Sequence, residues 1–452
     1  MGKSWSCYDL HNSVFLAPNE IRTCCKRFFK DNILKGDVVA IKANPEEKFN
    51  YSVSDIREAK EGIHKALNSA NGYEPCNGCP HLEFKEWEGS PIEKGIDYLS
   101  LEYHSVCNMR CSYCCDTYFG GEQASYSVIK LINEFIEKGL LTNTNYLVWG
   151  GGEPTLDRNF NEILDSILAM NIGPKIRMIS NSTNYSEKIK KGIDEDKVFL
   201  VTSIDAGTDE VFRKIRGLNG LERVLFNLKK YSKDKPQNII IKYIIRDDNS
   251  NFDELDKFVE QIIDKGLTSC NFQLSCDFKE EDCNPKILSS IIYLHNKLRN
   301  AKVRFIFMDD LIIQRMPKVN EKLIEDIEYE LQGLDSYLSY FLSFKTIPDF
   351  EEIYIIGTGS QAKSLVKRLS YIKSFSSIKK ASSPRVLEPW SSRTRSPSIG
   401  SSPSPSQMAE SVYCGSFSRN KACSATGAHS CAPVNSQIVA AARMWSELDT
   451  MT

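Results

Sequence analysis

Cys107, Cys111 and Cys114 stand in the pattern C-x3-C-x2-C within EYHSVCNMRCSYCCDTYFGG, with the aromatic Tyr113 just before the third thiol. At this spacing one short loop can wrap three thiolates around one face of an iron–sulfur cubane. Three ligands leave one metal position open, as catalytic metals require. Zinc is the competing reading; it needs a fourth ligand, for which Cys115 or His104 is at hand. Further along, VWGGGEPTL groups Gly150, Gly151, Gly152 and Glu153. Glycines admit close backbone approach, and Glu153 or a neighbouring carbonyl offers an acceptor for an ammonium group. A plain glycine turn is the alternative.

A second set of thiols precedes these. Cys7 lies in SWSCYDL, Cys24 and Cys25 in EIRTCCKRFF, and Cys76 and Cys79 in EPCNGCPHLEF. Their number suits a four-thiolate site, with Cys24 and Cys25 competing for one position. Both zinc and a [4Fe-4S] cluster accept four thiolates. Short strands and one amphipathic helix near 54–69 make a small core, which a metal staple would stabilise. Cys115, Cys270, Cys276 and Cys283 read as packed or exposed thiols rather than ligands of a third cluster. Cys414, Cys423 and Cys431 have spacings unlike a metal site.

These residues need a scaffold, and the chain supplies alternating strand and helix patterns. Strands are predicted at 98–103, 146–149, 176–180, 198–204, 239–245 and 270–275. Helical patterns fall at 126–138, 159–170, 185–192, 209–231, 252–265 and 285–299. In 252–265, Phe252, Leu255, Phe258, Val259 and Ile262 form one apolar stripe. Repeated strand–helix units imply a parallel sheet covered by helices, either an open doubly wound sheet or a partial barrel. Ligands of such folds gather at the C-terminal ends of the strands, where both the cysteine triplet and GGGE fall.

The triplet after the first strand and the GGGE motif after the second, in that order, resemble the radical S-adenosylmethionine enzyme superfamily over about residues 96–310. The resemblance implies a partial (β/α)6 TIM-like barrel and a [4Fe-4S] cluster on Cys107, Cys111 and Cys114. It also implies S-adenosylmethionine chelating the open iron, cleaved by one-electron reduction to a radical that abstracts a substrate hydrogen. Gly151, Gly152 and Glu153 are the implied cofactor-binding residues at the second strand, Ser180 and Asn181 at the third, and Ser203 and Arg216 at the fourth. Arg213 is a rival to Arg216. The fifth strand lacks the glycine-rich pattern that some relatives use against adenine; Lys242 and Asn249 stand there instead. The N-terminal thiols resemble a SPASM or twitch auxiliary-cluster module, which in most relatives follows the barrel. The implied partners are a peptide, carbohydrate or other small-molecule substrate and an electron donor such as flavodoxin or ferredoxin. The contrasting reading is a non-catalytic iron–sulfur or zinc protein for redox sensing or scaffolding.

Composition frames these readings. The chain has 452 residues, 15 cysteines, 41% hydrophobic residues and a net charge of −2. The near-neutral balance gives no support for a nucleic-acid or membrane-surface binder, and no apolar run reaches the roughly 18 residues that span a bilayer. The N-terminal MGKSWSCYDL lacks an apolar stretch of secretory type, so thiols at ligand-like spacing suggest a reducing cytoplasm. Five segments follow: 1–95, cysteine-rich; 96–310, the core; 311–346, a helical linker; 347–380, a truncated Rossmann-like unit; and 381–452, a tail. In 347–380 the residues Gly357, Gly359 and Ala362 give G-x-G-x-x-A, which suits a phosphate at a helix N-terminus. The tail has 1 Lys, 5 Arg and 17 Ser and a composition expected of disorder. So abrupt a shift is also what a change of reading frame would give.

Overall fold

A computed structural model describes residues 2–43, 50–115, 120–170, 173, 175–280, 282–315 and 321–331, together with short strands at 353–356, 378–381 and 414–415. The Gly357, Gly359, Ala362 motif, most of the linker and nearly all of the tail lie outside the described residues.

The N-terminal segment contains β1 (Ser4–Ser6), α1 (Tyr8–Asn12), β2 (Ser13–Ala17), β3 (Glu20–Arg22), β4 (Arg27–Lys30), β5 (Ile33–Gly36), β6 (Val39–Lys42), α2 (Val53–Leu67) and β7 (Glu83–Lys85). Helix α2 starts at a capping box between Ser52 and Asp55 and buries Val53, Ile56, Ile63 and Leu67. Then come β8 (Tyr98–Leu101), α3 (Val128–Glu137), β9 (Tyr146–Trp149), α4 (Phe160–Leu168), β10 (Ile176–Ile179), α5 (Glu187–Asp194), β11 (Val198–Ser203), α6 (Asp209–Arg216) and α7 (Leu221–Ser232). The unit finishes with β12 (Ile239–Ile245), α8 (Phe252–Asp264), β13 (Asn271–Cys276), α9 (Pro285–Asn300), β14 (Phe305–Met308) and α10 (Asp310–Arg315).

Strands β8 to β14 pair in parallel and in sequence order, each joined to the next by helical crossovers. This is the partial TIM-like barrel. All six predicted strands are present, and β14 adds a seventh parallel strand that the sequence pattern did not single out. The predicted helix 209–231 is two helices, because Gly217 at φ +72° ends α6.

The sheet does not stop at β8. Strand β2 pairs with it in parallel, Ser13 opposite Tyr98 and Leu16 opposite Leu101, and β3 and β6 continue antiparallel beyond. Ten strands thus form one sheet, and the cysteine-rich segment shares its edge. Residues 1–315 fall in a single compact unit. In the second unit β15 (Ile353–Ile356) lies between β16 (Ile378–Ala381) and β17 (Cys414–Gly415); helix α11 (Glu321–Leu331) precedes them in sequence. Among the described residues no helix is long and apolar enough to cross a membrane.

Candidate functional site

Because β8 to β14 run parallel, their C-terminal ends share one side, and the cysteine loop leaves β8 there. The GGGE segment after β9 clasps that loop by its backbone: Gly152 N–H donates to His104 O at 2.8 Å and Glu153 N–H to Val106 O at 2.8 Å. Glycine is required at this clasp. A Cβ on Gly152 would stand 2.2 Å from Val106 O, and Gly151 has φ +90° with its Cβ position 2.7 Å from His104 O. From the other side the end of α6 supports the loop, Arg110 N–H donating to Arg216 O at 3.0 Å and Ser112 N–H to Ile215 O at 2.8 Å.

The carboxylate of Glu153 is 1% exposed. Its Oε1 accepts from Thr155 N–H, Thr155 Oγ1 and Ser180 Oγ, and its Oε2 from Asn181 N–H at 2.7 Å. Burial pushes its pKa up, and these bonds oppose the shift. The Asn181 amide in turn donates to Cys107 Sγ at 3.7 Å and to Asn108 Oδ1 at 2.8 Å. Arg216 donates to Tyr113 OH and, at 3.1 Å, to Asp205 Oδ2, while Tyr113 OH donates to the same oxygen at 2.7 Å. Asp205 is fully buried, and burial raises its pKa to about 7.

A cavity of about 930 Å³, counting its open mouth, brings these groups together. Cys107, Cys111 and Cys114 line it, as do Gly151, Gly152, Glu153, Ser180, Asn181, Ser203 and Arg216. Burial raises all three thiol pKa values, and Cys114, pushed up to about 11, is raised further by Cys111 and Cys107. Three converging thiolates repel one another, and a cationic metal core would relieve that repulsion. The donor set therefore fits a cluster. Lys242 and Asn249 do not line the cavity: Lys242 pairs with Asp309 at 3.3 Å, and the Asn249 amide donates to Asp205 O and Ile244 O. Asp205 and Tyr113 were assigned no role from sequence, because only the fold gives them their shared partner Arg216.

Four N-terminal thiols line a second pocket of about 450 Å³, counting its open mouth: Cys7 at the cap of α1, Cys24 after β3, and Cys76 and Cys79 in a turn where Cys79 N–H donates to Cys76 O. Burial pushes Cys7 and Cys76 up to about 12, and neighbouring thiols add to both shifts. Cys25 is not among them. It is exposed where Cys24 is buried, and the charged groups that act on Cys25 are led by Glu102 and Lys26 rather than by the other thiols. The ammonium of Lys60, 0% exposed, stands near Cys7 and Cys24 and donates to Asp9 O at 3.2 Å and Leu10 O at 3.1 Å. Cys115 turns to Arg27, whose Nη2 donates to its sulfur at 3.6 Å.

Residues 101–272 match the family model for the Radical SAM superfamily. Those residues form a radical SAM domain. That superfamily's chemistry rests on a [4Fe-4S] cluster and S-adenosylmethionine. Similar curated proteins include the GTP 3',8-cyclase of Haemophilus influenzae (strain PittEE), 26% identical over 187 residues, covering 39% of this chain and 53% of that protein. The GTP 3',8-cyclase of Pasteurella multocida (strain Pm70) is 29% identical over 176 residues, covering 38% and 51%. The chain spans about half the length of the curated relatives it matches. Among solved structures, Streptococcus suis SuiB bound to precursor peptide SuiA aligns at TM-score 0.40 and 12% identity, over 56% of this chain and 62% of that one. The protein anSMEcpe with bound AdoMet aligns at TM-score 0.34 and 21% identity, over 43% and 57%.

Proposed function

We propose that Cys107, Cys111 and Cys114 hold a [4Fe-4S] cluster with one open iron, that S-adenosylmethionine occupies the same cavity, and that the enzyme abstracts hydrogen from a peptide, carbohydrate or other small-molecule substrate. The observation that carries this reading is the convergence of three thiols and seven polar or glycine positions, drawn from four strand ends, on one cavity. When bound, the cofactors supply one-electron reductive cleavage and removal of a substrate hydrogen. The chain's own residues bind and orient. Glu153 fixes Ser180 and Asn181 at the end of β10, and Asn181 sets its amide against Cys107. Arg216 is anchored on Asp205 and Tyr113, and its buried Nε has no partner, which suits it to an anionic group such as the cofactor carboxylate.

The second cavity completes the proposal. Cys7, Cys24, Cys76 and Cys79 are assigned an auxiliary [4Fe-4S] cluster, which binds substrate or carries an electron away. A buried ammonium with carbonyl acceptors, as at Lys60, is costly unless an anionic group offsets it, and four thiolates around a cluster provide one. The first electron is assigned to a flavodoxin or ferredoxin.

Anaerobic reconstitution followed by dithionite and S-adenosylmethionine tests the enzyme reading. Release of 5'-deoxyadenosine is expected, and none above a Cys111→Ala control would reject it. Iron analysis tests the second site: about eight irons per chain are expected, about four would leave only one cluster, and bound zinc would reassign the N-terminal thiols.

A further inference from the structure

The inside of the barrel carries charge that the proposed cofactor site does not use. Strand β10 turns Ile176 and Met178 toward the helices, in register with Leu147 and Trp149 of β9, and Trp149 packs on Phe160 of α4. Arg177 and Ile179 therefore face the other way, into the lumen. On β13, Phe272 packs on Phe258 of α8, so Gln273 and Ser275 face inward, and Lys242 of β12 lies in register with Gln273. A contact across the lumen agrees: Arg177 Nη2 donates to Gln273 Oε1 at 2.9 Å, although β11 and β12 separate their two strands.

These groups do not balance in charge. Gln273 Nε2 and Ser275 Oγ each donate to Asp309 Oδ2 at 3.0 Å, and Lys242 Nζ pairs with the same oxygen at 3.3 Å. The other oxygen of Asp309 accepts from Leu311 N–H at 3.1 Å. Asp309 is thus matched by Lys242 and acts on Arg177 only through space, with no contact. Among the described residues Arg177 meets a neutral amide oxygen and no carboxylate, and its buried Nε has no hydrogen-bond partner. A cation withdrawn from water without an anion is costly, and a guanidinium presents a planar fork that fits two oxygens of one anion. Ile179, the next inward residue toward the strand's C-terminal end, lines the cavity of the three cluster thiols and is 38% exposed, so the lumen is open at that level. Along the strand it lies about 7 Å from Arg177.

We propose that Arg177 anchors an anionic oxygen group, a carboxylate or a phosphate, of a small substrate whose reacting carbon stands a few bonds away, toward the cofactor cavity. Gln273 is a positioning residue: it holds one corner of the guanidinium and leaves Nε to donate to the substrate. This rests on the radical reading for the reaction, but the binding of the anion does not.

The test is calorimetric titration of the full chain, with no cofactor loaded, at fixed ionic strength. Succinate and inorganic phosphate are the anionic probes, and succinamide is the neutral one. One of the two anions is expected to bind saturably and more tightly than succinamide, and the one that binds assigns the group. Arg177→Gln should weaken that binding about tenfold or more, the worth of a charge-assisted hydrogen bond. Gln273→Glu supplies an internal carboxylate beside Arg177 and should abolish binding in a chain that stays folded, so the proposal does not hang on the stability of Arg177→Gln. Equal binding of succinamide, no binding of either anion, or native affinity in Gln273→Glu would overturn it. So would affinity that survives in Arg177→Gln and disappears in Arg216→Gln, which would move the anion to the cofactor cavity. No release of 5'-deoxyadenosine is read here. A failed cleavage assay leaves the anion site standing, and absent anion binding leaves the radical reading untouched.

Discussion

At Glu153 one carboxylate accepts from Thr155, Ser180 and Asn181 at the junction of the GGGE segment and the end of β10. Glu153→Gln would replace one oxygen by an amide that can only donate, facing backbone or hydroxyl donors. A buried donor left unpaired costs about 1–3 kcal/mol. Urea unfolding should show a loss of that size, and equilibrium dialysis should show weaker S-adenosylmethionine binding. Native stability together with native affinity would remove Glu153 from the cofactor site. The sequence made the two thiol sets legible because their spacings are short-range. It could not choose between Cys24 and Cys25, since which of two neighbours faces the cavity depends on the strand geometry around them. Lys60 had no signal at all, and Asp205 stood in an S-x-D segment without a role: a lone carboxylate or ammonium acquires meaning only beside Arg216 or Cys7.

The supporting elements impose their own conditions. Gly217 ends α6 at φ +72°, and a Cβ there would lie 2.8 Å from Arg110 O in the cysteine loop. Gly217→Ala should therefore cost about 1–2 kcal/mol in backbone conformation alone, and displace the loop. The expected result is less iron retained by reconstituted protein than by the native chain; equal iron content would show that the loop does not depend on this cap. On α9, His295 is 4% exposed, and burial, followed by Arg299, lowers its pKa from 6.5 to about 4. Between those values the unfolded chain binds a proton that the folded chain refuses. This contribution to stability is whole above about pH 6.5 and is lost as pH falls toward 4. At most it amounts to about 3 kcal/mol. His295→Gln should flatten the decline of unfolding free energy over that window, and an unchanged slope would acquit the ring. The parallel strands were readable because each is a short apolar run framed by amphipathic helices. Strand β14 escaped because only the six-residue α10 follows it, so no full amphipathic helix frames it, and β2, β3 and β6 because strands of three to five residues declare their pairing only in the assembled sheet.

Across the whole first unit, the continuity of the sheet decides how its two thiol sites communicate with stability. Strand β2 lies between the cysteine-rich segment and β8, and Phe15 of β2 packs on Tyr98 of β8 with ring centroids 5.0 Å apart. Phe15 also belongs to the apolar cluster that contains Cys24 and Cys76, together with Leu10, Val38, Ile63 and Leu67. The N-terminal thiols are thus embedded in the core that carries the edge of the barrel. Because a bound cluster stabilises only the folded chain, losing it should weaken the barrel too. If the proposed auxiliary cluster is bound, Cys76→Ser is expected to lower the midpoint of thermal unfolding of residues 1–315 as one cooperative transition. Scanning calorimetry of the full chain, with the cluster at Cys107, Cys111 and Cys114 left in place, would check it. A separate early transition that leaves the barrel melting at its native temperature would show that the cysteine-rich segment is an independent module, despite sharing the sheet.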